Sequence, residues 1–147
     1  MKIFIADDSK IVRERLTTLL SELKDVEVIG YAGDVPDSID AIRRLEPEVV
    51  VLDIRMPGGS GIDVLEQIKK KSNSPVFIVL TNYPYPAYRK KCMEAGADFF
   101  LCKSTQFDQV SEIIRSLQQP PPCNSPRLPD SGPHGRMDWQ LFPGRIN

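Results

Sequence analysis

The sequence predicts an α/β domain: a doubly wound, five-stranded parallel sheet with helices on both faces. Three observations carry this expectation. Short apolar runs alternate with amphipathic segments from the first residues to about Leu117. The runs are apolar throughout rather than alternating, as strands buried on both faces require. Each pair of runs is joined by a segment of helical periodicity, and parallel strands need such crossovers.

The elements follow in order. Ile3-Phe4-Ile5-Ala6 reads as a buried strand, and Val12, Leu16, Leu19, Leu20 and Leu23 then mark one face of a helix. Val26 to Tyr31 gives a second strand, with Ile39, Ile42 and Leu45 on a second helix. Val49-Val50-Val51-Leu52 is the clearest strand, being β-branched and apolar. Ile62, Leu65 and Ile68 give a third helical face, and Val76 to Leu80 a fourth strand. A fourth helix is expected over Ala87–Ala95, with Gly96 capping its end. Phe99-Phe100-Leu101-Cys102 forms a fifth strand, and Val110, Ile113, Ile114 and Leu117 line a fifth helix.

The 147 residues fit one domain over 1–117 and a tail over 118–147. Pro120-Pro121-Pro122, Pro126, Pro129, Pro133 and Pro143 leave that tail too few aliphatic residues to offset its ordering entropy, so disorder is expected there. The tail carries His134, with no ligand cluster around it, and Met137 to Phe142, a candidate docking motif. A net charge of −1 gives no general pull toward nucleic acid or an anionic membrane. Direct DNA binding is therefore not expected, and the 30 residues after Leu117 are too few for a DNA-binding output domain. Cys92, Cys102 and Cys123 are odd in number and widely spaced, which suits a reducing cytoplasm. No secretory signal is read at the start, and the apolar runs are too short to cross a bilayer.

In a sheet of this kind, ligands gather at the carboxyl ends of the strands. The first strand delivers Asp7 and Asp8 there, the third Asp53, the fourth Thr81 and the fifth Lys103. Clustered carboxylates repel one another unless a cation intervenes, and a hard divalent ion such as Mg2+ prefers carboxylate oxygens and carbonyls. The same ion can neutralise charge during phosphoryl transfer. Asp53 is central, so it is the carboxylate best placed to act as a nucleophile and form an acyl phosphate. Lys103 offers a point charge to the phosphoryl group and Thr81 a hydroxyl. The glycines of Met56-Pro57-Gly58-Gly59-Ser60-Gly61 permit close backbone approach to the ion or phosphate.

Asp7-Asp8-Ser9, Leu52-Asp53-Ile54-Arg55-Met56-Pro57 with Gly61, Thr81, and Gly96-Ala97-Asp98 leading to Lys103 together resemble the receiver domains of bacterial two-component response regulators. Val28 to Asp34 is most similar to the branch often fused to helix-turn-helix outputs. The resemblance implies a flavodoxin-like fold and phosphorylation of Asp53 by a histidine kinase or histidine phosphotransfer protein. It implies Mg2+ contacts from Asp8, Asp53 and the main-chain carbonyl of Arg55, with Asp7 acting directly or through water. Thr81 and Phe100 would be switch residues, and the output an unidentified protein partner bound through the fourth helix, fifth strand and fifth helix. A phosphorylation-dependent homodimer is left open. Ser104 follows the lysine where many receivers have proline. Asn82 and Tyr83-Pro84-Tyr85-Pro86 follow the threonine, where they could screen attacking water.

Plainer readings stand beside these. Asp8 or Ser9 could simply cap the first helix, and Phe100 could be a core aromatic. Cys92 and Cys102 read as small buried hydrophobes, and Lys69-Lys70-Lys71 and Arg89-Lys90-Lys91 as solvated helix faces. Rival functions are an aspartyl phosphohydrolase, a phosphorylation-independent interaction module and a truncated transcriptional regulator. The first is disfavoured because no second Asp follows two residues after an aspartate at the first strand.

Overall fold

The computed structural model describes residues 1–69 and 74–118. β1 (Lys2–Ala6) leads to α1 (Lys10–Ser21), β2 (Glu27–Ala32), α2 (Val35–Leu45) and β3 (Val49–Leu52). Two short strands follow, β4 (Arg55–Met56) and β5 (Gly59–Ser60), and then α3 (Gly61–Ile68). β6 (Val76–Thr81), α4 (Pro86–Ala95), β7 (Phe99–Cys102), α5 (Lys103–Gln106) and α6 (Gln109–Gln118) complete the described chain.

The main sheet is parallel at every pairing, in the order β2-β1-β3-β6-β7. The chain first moves from β1 to β2 on one side and then crosses to β3 on the other. The loops leaving β1 and β3 therefore diverge, and a crevice opens at their carboxyl ends.

Because side chains alternate along a strand, each strand feeds two cores. Ile3, Ile5, Val49, Val51, Ile78, Leu80, Phe99 and Leu101 meet Leu16 and Leu20 of α1 and Val110, Ile113 and Ile114 of α6. Phe4, Val50, Leu52, Phe77, Val79 and Phe100 face the other way, toward Ala41 and Ile42 of α2, Val64, Leu65 and Ile68 of α3, and Cys92 of α4. Each such aliphatic or aromatic side chain contributes about 1.5–3 kcal/mol by leaving water.

Helix boundaries follow their caps. Ser9 Oγ accepts from Val12 N at 3.3 Å, so of the two candidate caps it is Ser9 that begins α1. Asp34 begins α2 by accepting from Asp37 N. Ser60 and Asp63 form a reciprocal capping box on α3. Gly96, at φ 115°, ends α4; a Cβ there would stand 2.6 Å from Lys69 Cγ.

Four details differ from expectation. Leu23 lies beyond α1, in a turn where its amide donates to Leu20 O at 3.0 Å, yet still packs on the same core. Residues 55–60, expected as a turn-rich loop, close into the antiparallel β4–β5 pair. Lys69 is not on a solvated face: its Nζ donates to Pro75 O at 3.1 Å and pairs with Asp98 at 3.2 Å, tying α3 to the start of β7. Cys92 is a buried small hydrophobe as expected, but Cys102 is only half-buried, its Sγ 3.2 Å from Ser104 Oγ. Lys70, Lys71, Cys123, His134 and the tail from 119 onward lie outside the described residues. Among the described residues no helix is long and apolar enough to cross a membrane.

Candidate functional site

The parallel register sets the rim. Ala6 of β1 lies opposite Leu52 of β3, so Asp7 and Asp53 leave adjacent strands at the same height, and Asp53 N donates to Ala6 O at 2.9 Å. Thr81 pairs with Cys102, which places Lys103 one residue beyond it. Asp7 and Asp53 are 2% and 5% exposed, and Thr81 is fully buried. Asp8 is exposed at the lip. One carboxylate oxygen from each of Asp7, Asp8 and Asp53 can be chosen so that all three lie within 4.8 Å of one another.

Lys103 reaches across this cluster. Its Nζ lies 2.8 Å from Asp7 Oδ2 and 3.2 Å from Asp53 Oδ2. The other oxygens are held by backbone: Ser9 N donates to Asp7 Oδ1 and Ile54 N to Asp53 Oδ1, each at 2.8 Å. Burial raises the Asp53 carboxyl; Lys103 pulls it down in part and Asp7 pushes it up again, leaving it at about 6. Burial works against the Lys103 ammonium, but hydrogen bonding and attraction to Asp7 and Asp53 outweigh that and keep its pKa above the ordinary lysine value.

Gly61 makes this geometry possible. Its amide donates to Ile54 O at 2.7 Å, and a Cβ at that position would sit 2.2 Å from Asp53 O. Any side chain would push the acid's own backbone away from β1.

The donor set fits a hard divalent ion. Octahedral Mg2+ with oxygens at 2.0–2.1 Å spans about 4.2 Å between opposite ligands. A cluster spread over 4.8 Å closes on such an ion with a shift of a few tenths of an ångström or one bridging water.

Of the residues singled out in the sequence, Asp7, Asp8, Asp53 and Lys103 come together directly. Thr81 sits on the neighbouring strand, its Oγ1 accepting from Tyr83 N at 3.0 Å. Phe100 is 8% exposed and packed into the core on the α4 side. Arg55 opens β4 two residues after Asp53. Its guanidinium lies 4.3 Å from the centroid of the Tyr83 ring.

Sequence reasoning missed Arg13, whose Nη1 donates to Asp7 O at 2.8 Å while its guanidinium stacks over Tyr31. An arginine in the first turn of a helix carries no local signal of such a task. The stacking of Arg55 on Tyr83 was equally invisible, since it joins segments nearly thirty residues apart.

The profile of the family described as "Response regulator receiver domain" matches residues 3–115. An uncharacterized transcriptional regulatory protein, YvfU of Bacillus subtilis, is 34% identical over 128 residues, covering 87% of this chain and 64% of that protein. A DNA-binding response regulator of the LuxR family from Staphylococcus aureus superposes with a TM-score of 0.74 at 28% identity, over 80% of this chain and 98% of that one. The isolated REC domain of RcsB from Salmonella enterica serovar Typhimurium, solved with the phosphomimetic BeF3-, gives the same TM-score and identity over 80% of this chain and 88% of its own. The chain thus spans less than two-thirds of the first of these, the curated full-length relative.

Proposed function

The chain belongs to the response regulator receiver domain family, and on that premise we propose that Asp53 accepts a phosphoryl group from a phosphohistidine donor in a Mg2+-dependent reaction. Receiver domains are phosphoacceptors rather than conventional enzymes, and they interact with histidine kinases and with output partners. The observation that carries the proposal is Lys103 bridging Asp7 and Asp53 inside a three-carboxylate rim.

In this reading an Asp53 carboxylate oxygen attacks phosphorus. The O–P bond forms as the N–P bond to the donor imidazole breaks, and the imidazole leaves with the electron pair. At neutral pH a group with a pKa of about 6 is mostly ionised, as a nucleophile must be. Mg2+, held by Asp7, Asp8, Asp53 and the Arg55 main-chain carbonyl, would neutralise charge on the transferred group. Lys103 then exchanges one carboxylate partner for a phosphoryl oxygen, and Thr81 turns its hydroxyl from the Tyr83 amide toward the phosphate. Phe100 follows Thr81, and the change is read by a protein partner at α4, β7 and α6.

Residues 1–117 form the signalling unit in this proposal, with 118–147 as a separate tail and a cytoplasmic location. Transfer from a phosphorylated histidine donor protein tests it. The chain should gain label that hydroxylamine removes, since hydroxylamine cleaves acyl phosphates, and Asp53→Asn should gain none. Label retained in that variant would move the nucleophile elsewhere.

A second reading is favoured by one observation: a relative that is a transcriptional regulatory protein is covered over only 64% of its length. In that reading the chain is the receiver portion of a regulator whose output lies elsewhere, and DNA binding belongs to that output.

A further inference from the structure

At the entry to α4 stands an aromatic feature of which only Tyr88 packs on the core. Tyr83, Tyr85 and Tyr88 form a row, with ring centroids 6.3 Å and 5.9 Å apart and planes tilted by 48° and 39°. Tyr85, in the middle, is 58% exposed. Pro84 and Pro86 alternate with the rings and fix φ between them. Arg55 braces one end, its guanidinium 4.3 Å from the centroid of the Tyr83 ring. A row of rings held in place at its ends and exposed at its centre is the kind of surface on which a polyproline II segment docks. The ligand is already extended and loses little entropy, and pyrrolidine rings pack on aromatic faces.

The chain carries a segment of that chemistry. After α6 come Pro120-Pro121-Pro122 and then Ser125-Pro126-Arg127-Leu128-Pro129. Prolines three apart fall on one edge of a polyproline II helix, about 9 Å from each other, a length that a row of three rings can receive.

We infer that the row of Tyr83, Tyr85 and Tyr88 is the docking site for this chain's own Pro126–Pro129 segment. Reach and charge support the assignment. α6 ends at the amino side of the sheet, where Gln118 Nε2 donates to Lys24 O. The eight residues from 118 to 126 span about 25 Å as polyproline II. The six residues of β6 rise about 20 Å, so the linker is longer than the sheet is high. Tyr88 opens onto a cavity of about 950 Å3 between α3 and α4, lined by Asp63, Glu66 and Glu94 together with Arg55 and Lys91. Arg55 is already committed to Tyr83, which leaves the acids in excess for Arg127.

Trypsin supplies the test on the full chain, without Mg2+ or phosphoryl donor, so its outcome is independent of the function proposed above. The Arg127–Leu128 bond should be cut at least several-fold more slowly than in Tyr85→Ala, whose tail sequence is unchanged. Arg136–Met137 serves as the internal reference, cut at the same rate in both, and Tyr85→Phe should keep the protection. Circular dichroism confirms that the exposed Tyr85 site tolerates substitution. A photo-crosslinker in place of Tyr85 should join to residues 120–129 of the same chain, at a yield independent of protein concentration. Equal cleavage of wild type and Tyr85→Ala overturns the proposal, as do crosslinks that form only between light and isotope-labelled copies.

Discussion

Around β1 and β3 the rim of the sheet is buried and cross-braced. Asp7 is held by Ser9 N, Arg13 and Lys103, and Asp53 by Ala6 O, Ile54 N and Lys103. A few residues away α4 buries only Cys92 of its ten residues fully, with Tyr88 and Ala95 packed part-buried against the same core. α1, of similar length, anchors Leu16 and Leu20 at full burial with Val12 and Leu19 packed alongside. The difference separates two tasks. Chemistry between charged groups needs fixed distances, because a displacement of an ångström changes the field at the reacting atoms. In the function proposed above, a response to that chemistry needs an element whose alternatives lie within a few kcal/mol, and α4, with a single fully buried residue, is the candidate.

The contrast can be broken most forcefully at Gly61. Gly61→Ala places a methyl against Asp53 O and should destabilise the fold by about 2–4 kcal/mol, read by denaturant unfolding. A neutral result would mean that the β3–α3 loop is not the rigid side of the rim.

The next effect is on pH dependence in metal-free protein. Asp53 ionises near 3.8 in the unfolded chain and near 6 when folded, so the unfolded chain loses its proton first. Its contribution to stability therefore falls as pH rises from about 4 through 6, by up to about 3 kcal/mol. Asp53→Asn should be flatter over that window and more stable than wild type at pH 7.5. Parallel profiles for the two proteins would show that the acid is not held in the crowded, buried state described.

Hydrogen exchange sharpens the other side. Amides of α4 should open about tenfold or more faster than those of α1, a difference of roughly 1.4 kcal/mol in local stability. The smallest expected change is in metal binding by Lys103→Ala. Mg2+ affinity should shift by less than about tenfold because the lysine supplies no metal ligand, while the partner response to phosphorylation is lost. Abolished Mg2+ binding would contradict that division of roles.

Much of this was legible in the sequence because its signals are local. Val49–Leu52 and Phe99–Cys102 read as strands on composition alone, and both match the structure residue for residue. The carboxylates and Lys103 could be assembled because parallel strands put all carboxyl ends on one edge, so strand order along the chain predicts convergence. What could not be read depends on contacts between distant segments. Lys69 looked like part of a solvated basic run; only the approach of residues 75 and 98 turns it into a brace. The β4–β5 pair is too short for any periodicity, and α5 begins at Lys103, with no apolar face to announce it. Ser104, which stands where many receivers have proline, supplies the hydroxyl beside Cys102 Sγ, a contact no sequence pattern announced.

The central claim, that Asp53 is a Mg2+-dependent phosphoacceptor, is tested most directly by intact-protein mass after incubation with a small-molecule phosphoryl donor. Wild type and Asp53→Asn should be compared with and without Mg2+. The account predicts the gain of one phosphoryl group in wild type with Mg2+ and no gain in the other three samples. No gain in folded wild type, or an equal gain in Asp53→Asn, would contradict it.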